Sequence, residues 1–111
     1  MNQTAYLNRI AEVRRRFLLR LDEPMAALNE ALSLPRGKDS MTRMRGILHE
    51  WAGTAPTLGL ETFGAEARDL ESVIADALAS GRPLSDTEVE QLRAGFARLA
   101  AHADQAREMN R

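Results

Sequence analysis

Apolar residues along this chain return every three or four positions and nowhere with a strand's period of two, so the pattern predicts helices throughout. Tyr6, Ile10, Val13 and Phe17 form a first stripe, which Leu21, Met25, Leu28 and Leu32 continue. Between them stands "DEP" (22–24). Proline suits a first helical turn and disfavours helix just before it, so residues 4–33 are two helices or one sharply interrupted helix. "LPRGKD" (34–39) breaks the pattern again, and Asp39 or Ser40 is expected to cap a third helix. Met41, Met44, Leu48, Trp51, Ala55 and Leu58 line that helix, and Gly59 is placed to end it. Pro56 removes a helix hydrogen bond and predicts a kink or an early end to the regular helix.

Leu60, Phe63, Ala67, Leu70, Ile74 and Leu78 give a fourth helix, stopped by "SGRP" (80–83). In "SDTE" (85–88), Ser85 and Glu88 have the spacing of a capping box and open a fifth, lined by Val89, Leu92, Phe96, Leu99 and Ala103. Short connections between amphipathic helices predict one all-α domain over residues 1–111. Its expected form is an antiparallel up-and-down four-helix bundle with an additional N-terminal helix.

Composition removes several function classes. At 111 residues, 44% apolar, 28% charged and net charge −1, the chain has a globular balance without the basic excess of a nucleic-acid-binding domain. The run Arg14, Arg15, Arg16, interleaved with Val13 and Phe17, reads as a solvated helix face rather than a nucleic-acid or lipid site. With no cysteine there is no disulfide, thiol nucleophile or thiolate metal ligand. No apolar run approaches a membrane span, and the first residues lack the apolar core of a secretory signal, so a cytoplasmic protein is expected. A di-metal bundle needs Glu-x-x-His pairs, but the residue three before His49 is Gly46. Nor is there a phosphate-binding glycine loop, an H-E-x-x-H motif or an ATP-binding region.

What remains is a histidine in an odd setting. His49 has Gly46 three residues before it and Gly53 four after it, and a glycine inside a helix costs about 1 kcal/mol relative to alanine. At about 100° per residue, His49 lies roughly 130° from the centre of its helix's apolar stripe, on the flank or in solvent. Its neighbours on that face are Thr42, Arg45, Gly46, Ala52, Gly53 and Pro56, mostly small or compact. Solvated helix faces normally carry long polar side chains. Their scarcity here suits an imidazole that another protein surface must approach closely. An exposed neutral imidazole is a competent nitrogen nucleophile. His102, near the chain end on an exposed face of the last helix, reads as an ordinary surface residue, and Trp51 as core packing.

The stretch "HEWAGTAPTLGLETFGAEARDLE" resembles the signature of histidine phosphotransfer (HPt) domains. That signature has a phosphorylatable histidine, a lysine three on, a glycine four on with a small or hydroxyl residue after it, and a glycine ten on. A leucine–glutamate pair follows in the next helix. The matching positions are His49, Gly53, Thr54, Gly59, and Leu70 with Glu71. The likeness covers roughly residues 21–80. It implies a four-helix bundle whose histidine takes a phosphoryl group from a receiver-domain aspartate, or a kinase, and passes it to a response regulator.

By that resemblance His49 is the phosphoacceptor, and Thr42, Gly46, Ala52, Gly53 and Pro56 are the approach surface for a receiver domain or hybrid histidine kinase. No cofactor is expected in this chain, the magnesium being supplied by the partner receiver domain. A monomeric phosphocarrier without ATP-dependent kinase activity is expected, with no nucleic-acid or membrane partner. The family's lysine is Ala52 here; Arg45, one turn before His49, is the arginine placed to reach the phosphoryl oxygens. An alternative is a non-phosphorylated helical adaptor that binds a receiver or kinase domain.

Overall fold

Proline and glycine set the helix boundaries. The computed structural model describes residues 3–34 and 37–109. Helix α1 spans Gln3–Leu19 and α2 Asp22–Ser33, so the N-terminal segment is two helices. Leu21 stands at the start of α2 with no side-chain cap, but Asp22 and Glu23 fill the first turn, where negative charge meets the positive end of the helix dipole. Of "LPRGKD", Pro35 and Arg36 lie outside the described residues.

Helix α3 spans Lys38–Thr54 and is preceded by Gly37 in extended conformation. Asp39 and Ser40 therefore lie inside its first turn instead of capping it, and no side-chain cap bond forms. The helix ends early, as Pro56 predicts: residues Ala55–Leu58 tighten into a 3-10 turn because proline has no N–H to give the carbonyl of Ala52. Gly59 closes the turn in the left-handed region (φ 77°), while the Leu60 N–H donates to the Ala55 carbonyl at 3.0 Å. Helix α4 spans Glu61–Ala79 and α5 Asp86–Met109. The predicted capping box forms at the start of α5. The Glu88 N–H donates to Ser85 Oγ at 3.1 Å, and the Ser85 N–H to Glu88 Oε1 at 2.9 Å.

Helices α2 to α5 make the bundle. Leu28, Leu32, Met41, Met44, Leu48, Trp51, Phe63, Leu70, Ile74, Leu92, Phe96 and Leu99 are among its buried residues, nearly all from the predicted stripes. Trp51 packs on Phe63 with ring centroids 5.3 Å apart. Two further glycines let helices approach: a methyl on Gly95 would run into Leu70, and one on Gly64 would meet the Pro56 ring at 2.7 Å. These contacts fix α4 against α5 on one flank and against the end of α3 on the other.

The first stripe departs from expectation. In α1 only Leu18 is buried; Tyr6, Leu7 and Val13 stay exposed and Ile10 and Phe17 are half-covered. The helix is anchored by its C-terminal half, through an edge-on contact of Phe17 with Phe63 (5.9 Å) and a bond from Arg107 Nη2 to the Leu18 carbonyl (2.6 Å). Arg14 belongs to this anchor, donating to the Leu58 carbonyl at 2.5 Å, and so leaves the solvated face assigned to the arginine run.

Candidate functional site

His49 lies in the C-terminal half of α3 and Glu71 in the middle of α4. The two helices run antiparallel, and Nδ1 of His49 lies 2.7 Å from Oε2 of Glu71. An ionised Glu71 carboxylate only accepts hydrogen bonds, so Nδ1 is the donor, and in the neutral ring that tautomer leaves Nε2 with a bare lone pair. The environments are unequal: the His49 side chain is 74% exposed, that of Glu71 only 15%. Glu71 is thus a partly covered anchor beneath a projecting ring. Arg45 Nε stands 3.7 Å from the same Glu71 oxygen, a looser contact from a side chain that is half exposed.

Around the ring the face is open. Thr42, Arg45, Gly46 and Gly53 are all exposed. A methyl group built on Gly46 or on Gly53 would meet nothing within 4 Å. Unlike Gly64 and Gly95, these two glycines have no packing reason inside the fold. The surface at His49 also differs from a small-molecule site. The cleft of about 420 Å³ between α1 and α3 is lined by Val13, Phe17, Leu21, Ile47, Trp51 and Leu58, among others, and His49 does not line it. His49 instead projects from an exposed stretch of α3.

Two of the residues assigned to the approach surface are more covered than that assignment expects. Ala52 is 5% exposed and forms part of the core, because α4 packs against that flank of α3 and widens the buried stripe toward His49. Pro56 is half-buried, its ring against Gly64. His102 is also less exposed than expected, sitting half-buried beside the turn at Gly59–Phe63. Glu71 was the opposite omission. It appears in the sequence only as half of a leucine–glutamate pair, and nothing in the local pattern ties it to a histidine 22 positions earlier.

A family model for the Hpt domain matches residues 12–102. The chain belongs to the Hpt domain family. Hpt domains serve histidine phosphotransfer in phosphorelays, where they interact with receiver domains and kinases and act as phosphocarriers rather than kinases. No curated protein and no solved structure gives a significant match. The match of this Hpt domain takes in α2 to α5 nearly whole, including both His49 and Glu71, and begins within α1. Among the described residues no helix is long and apolar enough to cross a membrane.

Proposed function

We propose that this Hpt domain carries a phosphoryl group on Nε2 of His49, taking it from the aspartyl phosphate of a receiver domain and giving it to the aspartate of another. The observation that carries the reading is the 2.7 Å bond between Nδ1 and Glu71 beneath an otherwise exposed ring. In the forward step the Nε2 lone pair attacks phosphorus. A P–N bond forms, the bond between phosphorus and the aspartyl oxygen breaks, and its electron pair leaves with the receiver carboxylate. No proton has to be removed from Nε2, since the hydrogen is already on Nδ1. The ring becomes positively charged, and Glu71 accepts a stronger, charge-assisted hydrogen bond from it.

Thr42, Gly46 and Gly53 form the surface that lets the partner approach. Long side chains at those positions would hold an incoming aspartyl phosphate away from the ring. The magnesium that such a transfer needs belongs to the receiver domain. Arg45, one turn before the ring and leaning toward Glu71, adds positive charge to the rim that meets an acidic partner surface.

The test is transfer of label from phosphorylated receiver domains to the wild-type chain and to His49→Gln. Acid-labile label on the wild type alone is the expected result. Binding of a competent receiver without any label would instead identify a non-phosphorylated adaptor, the reading that Ala52 in place of a lysine favours.

A further inference from the structure

A phosphoryl group on His49 would stand beside a carboxylate. Glu71 supports the ring through Nδ1, yet its charge repels the phosphoryl oxygens that the ring would carry, so a cation near Nε2 would be needed to balance it. On α3 itself, Arg45 is already turned toward Glu71, and the residue one turn after His49 on that flank is the buried methyl of Ala52.

The opposite helix supplies what α3 lacks. Two contacts fix the antiparallel register of α3 and α4: His49 against Glu71, and Pro56 against Gly64. In that register Arg68 lies opposite Ala52, one helical turn, ~5 Å, along the groove from His49. Gly64, Arg68 and Glu71 follow steps of four and three, so Arg68 shares the α3-facing flank of α4, at its solvent edge. Arg68 is exposed, and its guanidinium has no hydrogen-bond or ion-pair partner among the described residues. The way toward the ring is clear, because Ala52 is short and the space above Gly53 is empty out to 4 Å. Arg98, by contrast, is occupied with Glu66 on the other flank of α4, at 2.6 Å.

We propose that Arg68 is the cation that meets the phosphoryl group on His49, reaching across the groove from α4 to the position that Ala52 leaves without charge. This rests on His49 being the phosphoacceptor. Arginine suits the role because its planar fork can bond two phosphoryl oxygens at once and stays charged at any physiological pH. Together, Arg45 and Arg68 would bracket the ring along the groove, the first held by Glu71 and the second free to move onto the phosphoryl oxygens.

The decisive experiment avoids the partner protein. Phosphoramidate, used as the phosphoryl donor, exchanges its own P–N bond for the one to Nε2 and releases ammonia, so no docking surface is involved. Initial labelling rates would be compared for wild type, Arg68→Gln, Arg68→Lys and His49→Gln, with thermal melts to exclude misfolding. Arg68→Gln is expected to slow labelling about five- to tenfold and to flatten its dependence on ionic strength, without moving the melt. Arg68→Lys should recover most of the rate. Equal rates for wild type and Arg68→Gln would overturn the proposal, as would a lysine variant as slow as the glutamine one. If wild type and His49→Gln label alike, or neither labels, the phosphoacceptor assignment itself fails and takes this inference with it.

Discussion

Nδ1 of His49 and Oε2 of Glu71, 22 residues apart in sequence and on different helices, stand 2.7 Å from each other. This one contact sets the tautomer of the ring, its orientation and the side from which it can be approached. It also joins the C-terminal half of α3 to the middle of α4, whose mutual packing is fixed further along by Pro56 against Gly64. The geometry of the site therefore depends on helix packing as much as on the helix that carries the histidine.

The first prediction concerns the anchor. Glu71→Gln is nearly isosteric, but its amide can donate to Nδ1 and so drive the ring hydrogen onto Nε2, where the lone pair is needed. It also removes the negative charge that stabilises the phosphorylated, positively charged ring. A charge-assisted hydrogen bond is worth about 1.5–3 kcal/mol, which converts to a loss of roughly 10- to 150-fold in transfer rate. The exposure of His49 favours the lower end of that range. Stopped transfer assays with one phosphorylated receiver would measure it, alongside titrations of binding, which should change little. A nitrogen-15 spectrum of the imidazole should show the tautomer shift directly. A Glu71→Gln chain that transfers at the wild-type rate would remove Glu71 from the mechanism.

The second prediction separates two kinds of glycine. Gly46→Ala and Gly53→Ala place a methyl into open space on an exposed helix face. Each should therefore stabilise the fold by up to about 1 kcal/mol, raising the melting temperature by about 4–8 °C per kcal/mol in a chain of this size. The same variants should transfer more slowly from a protein donor, because the methyl stands between the partner surface and the ring. Gly95→Ala is the control with the opposite sign. Its methyl would collide with Leu70, and overpacking of that kind costs about 1–3 kcal/mol. Melts and transfer rates on the three variants check the argument; a Gly53→Ala chain both more stable and equally fast would show that no partner surface comes close there.

Most of the bundle was legible because each core helix carries its own record of which side is covered. Met44, Leu48 and Trp51 in α3, or Leu92, Phe96 and Leu99 in α5, recur at helical spacing and are all buried. The stripe of α1 has the same spacing, yet Tyr6 and Val13 remain exposed. A periodic stripe says which side of a helix is apolar, not whether another element reaches it. The candidate site divides the same way. The exposure of His49 and its setting between two open glycines follow from positions within one helix. Glu71, the burial of Ala52 and the placement of Arg68 depend on how α4 registers against α3, which no local pattern contains. The cap of α3 failed for a smaller reason: Gly37 takes the extended conformation before the helix, one residue ahead of Lys38 and two ahead of Asp39.

The last prediction concerns acid stability and lies away from the site. Arg82 makes a two-pronged contact with Glu88, at 2.7 and 3.0 Å. That bond, followed by the backbone N–H of Ser85, holds the Glu88 carboxyl down to about 2 from an ordinary value of 4.5. Since the folded chain releases this proton more readily than the unfolded one, the contribution is fully present above about pH 4.5. It is lost as pH falls from there toward 2. Glu88→Gln isolates the charge, because glutamine at the third position of the helix still closes the capping box with Ser85. Near pH 7 the variant should be less stable by about 0.5–1 kcal/mol, the range of a screened surface ion pair with good geometry. The difference should shrink through the acid window and vanish near pH 2. Paired thermal melts between pH 7 and pH 2 measure it, and a gap that persists at the acid end would assign the loss to the capping box instead of the charge.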